Sequence, residues 1–217
     1  MTALVRTTPP ASEPISLSEA KAHVRVSISD DDALITNLIT ATRMICEEFT
    51  GRALITQGWR LWLDTFPGDR LAWWDGTREG AASKLTVKRF ILMPRAPLQS
   101  ISAVNVYADD DSSVVFSPTL YFVDSNAEPG RLALRNNASW PVPQRASNGI
   151  SVDFTAGYGA ASAVPQALKQ GMLAHIAQLY EHRGEGLRLN GDALSVKALP
   201  DIVQALYQPF RVQRLRY

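Results

Sequence analysis

The chain has 217 residues, 46% hydrophobic and 20% charged, an ordinary globular composition with room for one large domain or two small ones. A chain of this length buries roughly 70% of the surface its unfolded form exposes, so its folding requires neither a disulfide nor a metal. With 22 Lys plus Arg against 21 Asp plus Glu, the net charge of +1 excludes a global field that would draw the protein to nucleic acid or an anionic membrane, and recognition falls to local patches.

Residues 1–14, rich in Thr, Pro and Ala and without periodicity, read as a flexible arm, of a kind that can become ordered on a neighbour. They lack the apolar core of a signal peptide, and no stretch of the chain approaches the ~18 apolar residues of a membrane span. The expectation is a soluble protein with no membrane partner. Ser16-Leu17-Ser18-Glu19 fits a capping box that opens a short helix ending near Arg25. A second helix begins at Ser29 or Asp30, where Asp31 and Asp32 complement the positive end of the helix dipole, and Gly51 ends it. Its apolar stripe is Leu34, Leu38, Ala41, Ile45 and Phe49, widened by Ile35, Ile39, Thr42 and the single cysteine, Cys46. One cysteine permits neither an intramolecular bridge nor a cysteine-rich metal site.

The period then changes to two. Trp59 to Asp64, Lys84 to Ile91, Ser102 to Tyr107, Val114 to Phe116, Tyr121 to Val123, Arg131 to Leu134 and Ile150 to Phe154 alternate as strands do, with turn signals between them. Short strands without intervening helices predict an antiparallel sandwich or small barrel over residues 55–159. Helical character returns at Pro165, a good first helical position, with a stripe of Leu168, Met172, His175, Ile176 and Leu179 before Gly184 and Gly186. A last short helix spans Pro200 to Tyr207. The predicted class is α+β: residues 15–54 and 160–208 form a small helical bundle, 55–159 an inserted β domain, and 209–217 a basic, amphipathic tail.

No constellation carries catalysis, a cofactor or a metal. Gly157-Tyr158-Gly159 lacks the third glycine and the strand–helix–strand context of a dinucleotide turn, and reads as a tight exit from the sheet. His175 and His182 share a helical face without a carboxylate ligand nearby, so His175 reads as a packed residue and His182 as a solvated one. Asp30-Asp31-Asp32 and Asp109-Asp110-Asp111 lack the spacing of a calcium loop and read as a helix start and a hairpin tip. Cys46 lies on a buried stripe and no serine sits in an elbow motif. Trp59 and Trp62 fall on opposite faces of one strand, and Trp73-Trp74 in a loop; core and loop packing accounts for them, and the functional alternative is that outward tryptophans anchor a subunit interface, which singles out Trp62, Trp73 and Trp74. Lys84 and Lys88 lie opposite Arg89 on their strand, dividing the basic charge there rather than forming a phosphate track.

The order of the segments resembles the phage head–tail connector (adaptor) family, in its long form with a β insertion. The residues that carry the likeness are Ile15 to Val26, Asp30 to Ile35, Phe49 to Ile55, Pro94 to Leu98, Phe154 to Gly159, Val164 to Gln170 and Leu206 to Arg211. That resemblance implies a non-enzymatic subunit of a ring, usually dodecameric, beneath the portal of a tailed phage, prophage or gene transfer agent particle. Such a particle is assembled in the bacterial cytoplasm, and the subunit sits in its neck. Its partners would be the portal protein, neighbouring copies of itself, a tail-side stopper or tail terminator protein, and packaged DNA passing without sequence recognition. The C-terminal segment in this family reaches the portal, which makes Phe210, Arg211, Arg214, Leu215, Arg216 and Tyr217 the portal-facing candidates. Arginines interleaved with apolar groups suit a preformed groove with acidic residues. Ordering such a segment costs about 1–2 kcal/mol per residue, so disorder or displacement in the free subunit is expected. Two other classes fit the residues: a DNA-binding module using the basic tail, marked by steep salt dependence, and a small hydrolase marked by a pocket of perturbed titratable groups.

Overall fold

The computed structural model describes residues 2–66, 89–143, 145–182 and 199–212. The chain divides into a β unit, Met1–Pro9 with Gln57–Gly157, and a helical unit, Pro10–Thr56 with Tyr158–Tyr217. The class is α+β, as the change of period predicts.

Among the described residues the β unit has strands β1 (Thr2–Thr8), β2 (Gln57–Leu63), β3 (Phe90–Leu92), β4 (Leu98–Tyr107), β5 (Ser113–Val115), β6 (Tyr121–Asp124), β7 (Arg131–Leu134) and β8 (Ile150–Ala156). They form two antiparallel sheets, one ordered β1-β2-β8-β4-β5 and one ordered β3-β7-β6, rather than a closed barrel. The N-terminal segment expected to be a flexible arm contains β1, paired with β2 from Thr2↔Leu63 to Thr8↔Gly58. An edge strand facing mostly solvent needs little hydrophobic alternation, which hides it from pattern reading; its β-branched residues, Val5, Thr7 and Thr8, are the signal it leaves. Lys84 and Lys88 lie outside the described residues.

Alternation sets the two faces of the larger sheet. Trp59 pairs with Phe154 and Leu61 with Val152 on the buried face, while Arg60 pairs with Asp153 and Trp62 with Ser151 on the other. The smaller sheet buries Ile91, Leu132, Leu134 and Tyr121. Phe66, Phe116, Tyr121 and Trp140 form an aromatic cluster, with Phe66 stacked on Trp140 at 4.5 Å between ring centres.

In the helical unit, α1 (Leu17–Val24) opens on the capping box: the Glu19 amide donates to the Ser16 hydroxyl at 3.2 Å, and the Ser16 amide donates to the Glu19 carboxylate at 2.8 Å. The longer helix α2 (Asp32–Thr50) closes at Gly51, whose φ of 71° is left-handed and whose N–H donates to the Glu47 carbonyl. Its buried face is not centred on Leu34, Leu38 and Ile45, which are half-buried. It runs through Ile35, Ile39, Thr42, Arg43, Cys46, Glu47 and Thr50. The stripe is displaced because two charged residues are buried as a pair: Arg43 donates to Glu47 at 2.9 Å and to Glu13 at 2.7 Å, and Glu47 also accepts from the Leu54 amide at 2.9 Å. A hydrophobic pattern cannot register a charge that is buried because it is satisfied.

Helix α3 (Gln166–Glu181) buries Leu168, Met172, His175 and Ile176, and α4 (Asp201–Tyr207) buries Val203 and Tyr207. Leu168, Met172, Ile176, Val203 and Tyr207 join Ile15, Ile35, Ile39, Cys46, Leu54 and Ile55 in one core. Tyr207 is fully buried, and Gly171 on α3 makes room for its ring; a Cβ at that position would overlap the ring edge. Ordinarily Gly→Ala inside a helix stabilises by roughly 1 kcal/mol. At Gly171 the overlap wins: Gly171→Ala should lower stability by about 1–3 kcal/mol, read as a lower denaturant midpoint at unchanged m-value.

Candidate functional site

The C-terminal segment approaches the end of α2. Beyond α4 a single 3-10 turn, Gln208–Phe210, leads to Arg211 and Val212. The last carbonyls of a helix have no partner within it, and here the Thr50 carbonyl accepts the Val212 amide at 2.8 Å. Arg52, largely buried, donates from Nε to the Phe210 carbonyl at 2.5 Å and holds its guanidinium 5.8 Å from the Tyr158 ring centre. Gly51 leaves space into which Val212 fits: a Cβ on Gly51 would stand 3.6 Å from the Val212 Cβ. The Arg211 guanidinium lies over the Phe49 ring at 5.5 Å, a cation–π contact, and the Phe49 ring in turn lies 6.1 Å from Tyr207.

Two of the six portal-facing candidates are therefore engaged within the chain. Phe210 is half-buried against the helical core, and Arg211 is stacked on α2. Disorder was the expectation for the free tail; through Val212 the tail is instead ordered, because its main chain completes the hydrogen bonding of α2 and its side chains extend the core. Arg214, Leu215, Arg216 and Tyr217 lie outside the described residues.

Trp62 lies on the face of the larger sheet opposite Trp59. It is half-buried, 5.4 Å from the Tyr107 ring and 5.6 Å from the Arg60 guanidinium. Arg60 is fixed by a two-pronged pair with Asp153, at 2.6 and 2.9 Å, directly across the β2–β8 ladder. Trp73 and Trp74 lie outside the described residues.

The residues tested for chemistry take structural places. Gly157 and Gly159 have φ of 135° and 117°, and make the exit from β8 where the β unit ends. Asp32 pairs with Lys21 at 2.5 Å and Asp31 accepts from the Tyr180 hydroxyl, tying α1 and α3 to the start of α2. Asp110 accepts from the Ser112 amide and hydroxyl at the tip of the β4–β5 hairpin. Burial pushes the Cys46 thiol up to about 12, so it stays protonated and unreactive at neutral pH. Among the described residues no group of three or more His, Cys, Asp or Glu is arranged to hold a metal, and no helix is long and apolar enough to cross a membrane.

The chain matches no protein-family model and no curated protein sequence. Among solved structures it is similar to a chain in the neck of an empty gene transfer agent particle computed with C6 symmetry: TM-score 0.71, 22% identity, covering 99% of this chain and 97% of that one. A chain from the virion of a native gene transfer agent particle gives a TM-score of 0.71 at 23% identity, over 98% and 97% of the two chains. A third, from the neck of the native particle computed with C12 symmetry, gives 0.66 at 23% identity, over 100% and 97%. At such identities the likeness is one of fold, extending over both units.

Two outcomes follow from the geometry. Phe210→Ala should loosen the tail and cost about 1–3 kcal/mol of stability, checked by denaturant unfolding. His175 is buried, its Nδ1 has no hydrogen-bond partner among the described residues, and burial holds its pKa below the ordinary 6.5. The unfolded chain thus binds a proton that the folded one resists, and stability should fall as pH drops from about 7 to 5. His175→Leu should flatten that part of a stability-against-pH curve.

Proposed function

We propose that the chain is a structural head–tail connector (adaptor) subunit, forming a ring beneath the portal of a phage-like particle, extending the DNA channel and joining capsid to tail. The observation that carries this reading is the shared fold with chains of gene transfer agent particles, two of them from the neck, across 97% or more of both partners. The role is assembly rather than catalysis. Its partners are the portal protein, neighbouring copies, a tail-side stopper or tail terminator, and packaged DNA that passes without being read. Assembly takes place in the bacterial cytoplasm and the finished subunit resides in the neck.

The anchored base of the tail refines how the portal is reached. Phe210, Arg211 and Val212 fix where the tail leaves the helical unit, and Arg214, Leu215, Arg216 and Tyr217 make the contact, arginines pairing with portal carboxylates while the apolar groups fill its groove. A fixed exit point lowers the entropy lost on docking, since Phe210 to Val212 are already held by the helical unit. Trp62, Trp73 and Trp74 are assigned to contacts with neighbouring subunits.

This division sets the test. A chain ending at Val212 should unfold at the same denaturant concentration as the full chain yet fail to co-sediment with portal particles. Deletion from Pro209 onward should also lose stability, because it removes Phe210 and Val212. Undiminished co-sedimentation of the chain ending at Val212 would move the portal contact elsewhere on the surface.

A further inference from the structure

Antiparallel sheets with one face in water normally present polar residues there. The smaller sheet does not. Register places Phe90, Ala133 and Phe122 in one row across its three strands, with Leu92, Arg131 and Asp124 in the next. Phe122 is 47% exposed and Leu92 43%, and Leu120, just before β6, is exposed as well. Arg131 leans over Phe90 and pairs with Asp124 at 2.8 Å. Arg135, exposed and two residues beyond Ala133, continues the same face, and Arg89 stands exposed at its end, donating to the Arg135, Asn136 and Ala138 carbonyls. Arginine predominates along this apolar face.

A second apolar surface of the β unit carries the opposite sign. A groove of about 260 Å³ beside the edge strand β5 is lined by Val106, Val114, Phe116, Pro141 and Val142. Val114 is 72% exposed and Val142 76%. The hairpin tip above it carries Asp109, Asp110 and Asp111, all exposed, against one arginine, Arg145, which lies 3.4 Å from Asp111.

We propose that these two surfaces bind each other between copies of this chain, the Phe122–Leu92 face of one subunit seating against the β5 groove of the next. Resting on the connector reading, the proposal names the contact that builds the ring. Charge decides the pairing. Two copies of the arginine-bearing face would repel if docked on each other, and so would two acidic hairpin tips; face against tip is the complementary choice. A contact between two different surfaces is head-to-tail, and repeated head-to-tail contacts generate a ring when the rotation closes. Phe122 supplies the aromatic anchor and the arginines and aspartates form the rim, the arrangement from which interfaces draw most of their binding energy.

A head-to-tail contact is open to a mixing experiment. Phe122→Lys disables one surface and Val114→Lys the other, each at an exposed position that the fold tolerates. By sedimentation velocity, the unmodified chain should associate with rising concentration, while each variant alone should stay monomeric. An equal mixture should form a one-to-one heterodimer and nothing larger, because one intact surface remains on each partner. The proposal is overturned if the unmodified chain stays monomeric to millimolar concentration, if either variant alone associates as the unmodified chain does, or if the mixture stays monomeric. Electron microscopy of intact particles separates the two levels: rings of this chain beneath the portal, together with any of those outcomes, would retain the connector reading and remove this interface alone.

Discussion

The last two turns of α2 are the point on which the helical unit depends. Arg43 and Glu47 are buried there, and neither could remain charged in an apolar core unless its hydrogen-bonding groups were met. Glu13 comes from the segment before α1 to meet Arg43, and the Leu54 amide from the turn after α2 to meet Glu47. Removing one partner would strand a buried charge, at a cost of about 3–5 kcal/mol, whereas the intact set contributes less than that to stability. Its main effect is on geometry. It fixes where the chain enters and leaves α2, and therefore where Thr50, Gly51 and Arg52 stand when the C-terminal segment arrives.

That arrival is a second use of the same helix end. The Thr50 carbonyl, left over by the termination of α2, takes the Val212 amide, and Arg52 takes the Phe210 carbonyl. Two polar groups of the helix end and two of the tail satisfy one another, while Arg211 covers Phe49. A segment whose composition reads as a free docking peptide thus has a base, Phe210 to Val212, that belongs to the fold.

Much of the fold was legible because it is written in local chemistry. The capping box at Ser16 and Glu19, the left-handed stop at Gly51 and the glycines at 157 and 159 each need particular residues at particular positions, and they are found where the pattern puts them. Strands buried on one face announced themselves by alternation. What escaped is what local pattern cannot contain. The strand β1 exists because β2, some fifty residues later, offers an edge, and the Glu13–Arg43–Glu47 set is polar yet internal. The tail is basic and amphipathic in composition, but composition alone does not say whether Phe210 covers a neighbour's surface or its own.

The order of the larger sheet has a consequence for how the β unit forms. Among the described residues its central strand, β8, is the last of eight, and the pairs β1–β2 and β4–β5 are joined in the sheet through it. In chain order both pairs precede residues 150–156, the strand that joins them. Joining β2 to β8 brings Gln57 against Ala156 from nearly opposite ends of the β unit, the kind of long-range pairing that slows folding and leaves unpaired edges exposed until it forms. A slow refolding phase, sensitive to changes in β8 and indifferent to changes in the helices, is the kinetic signature this topology carries.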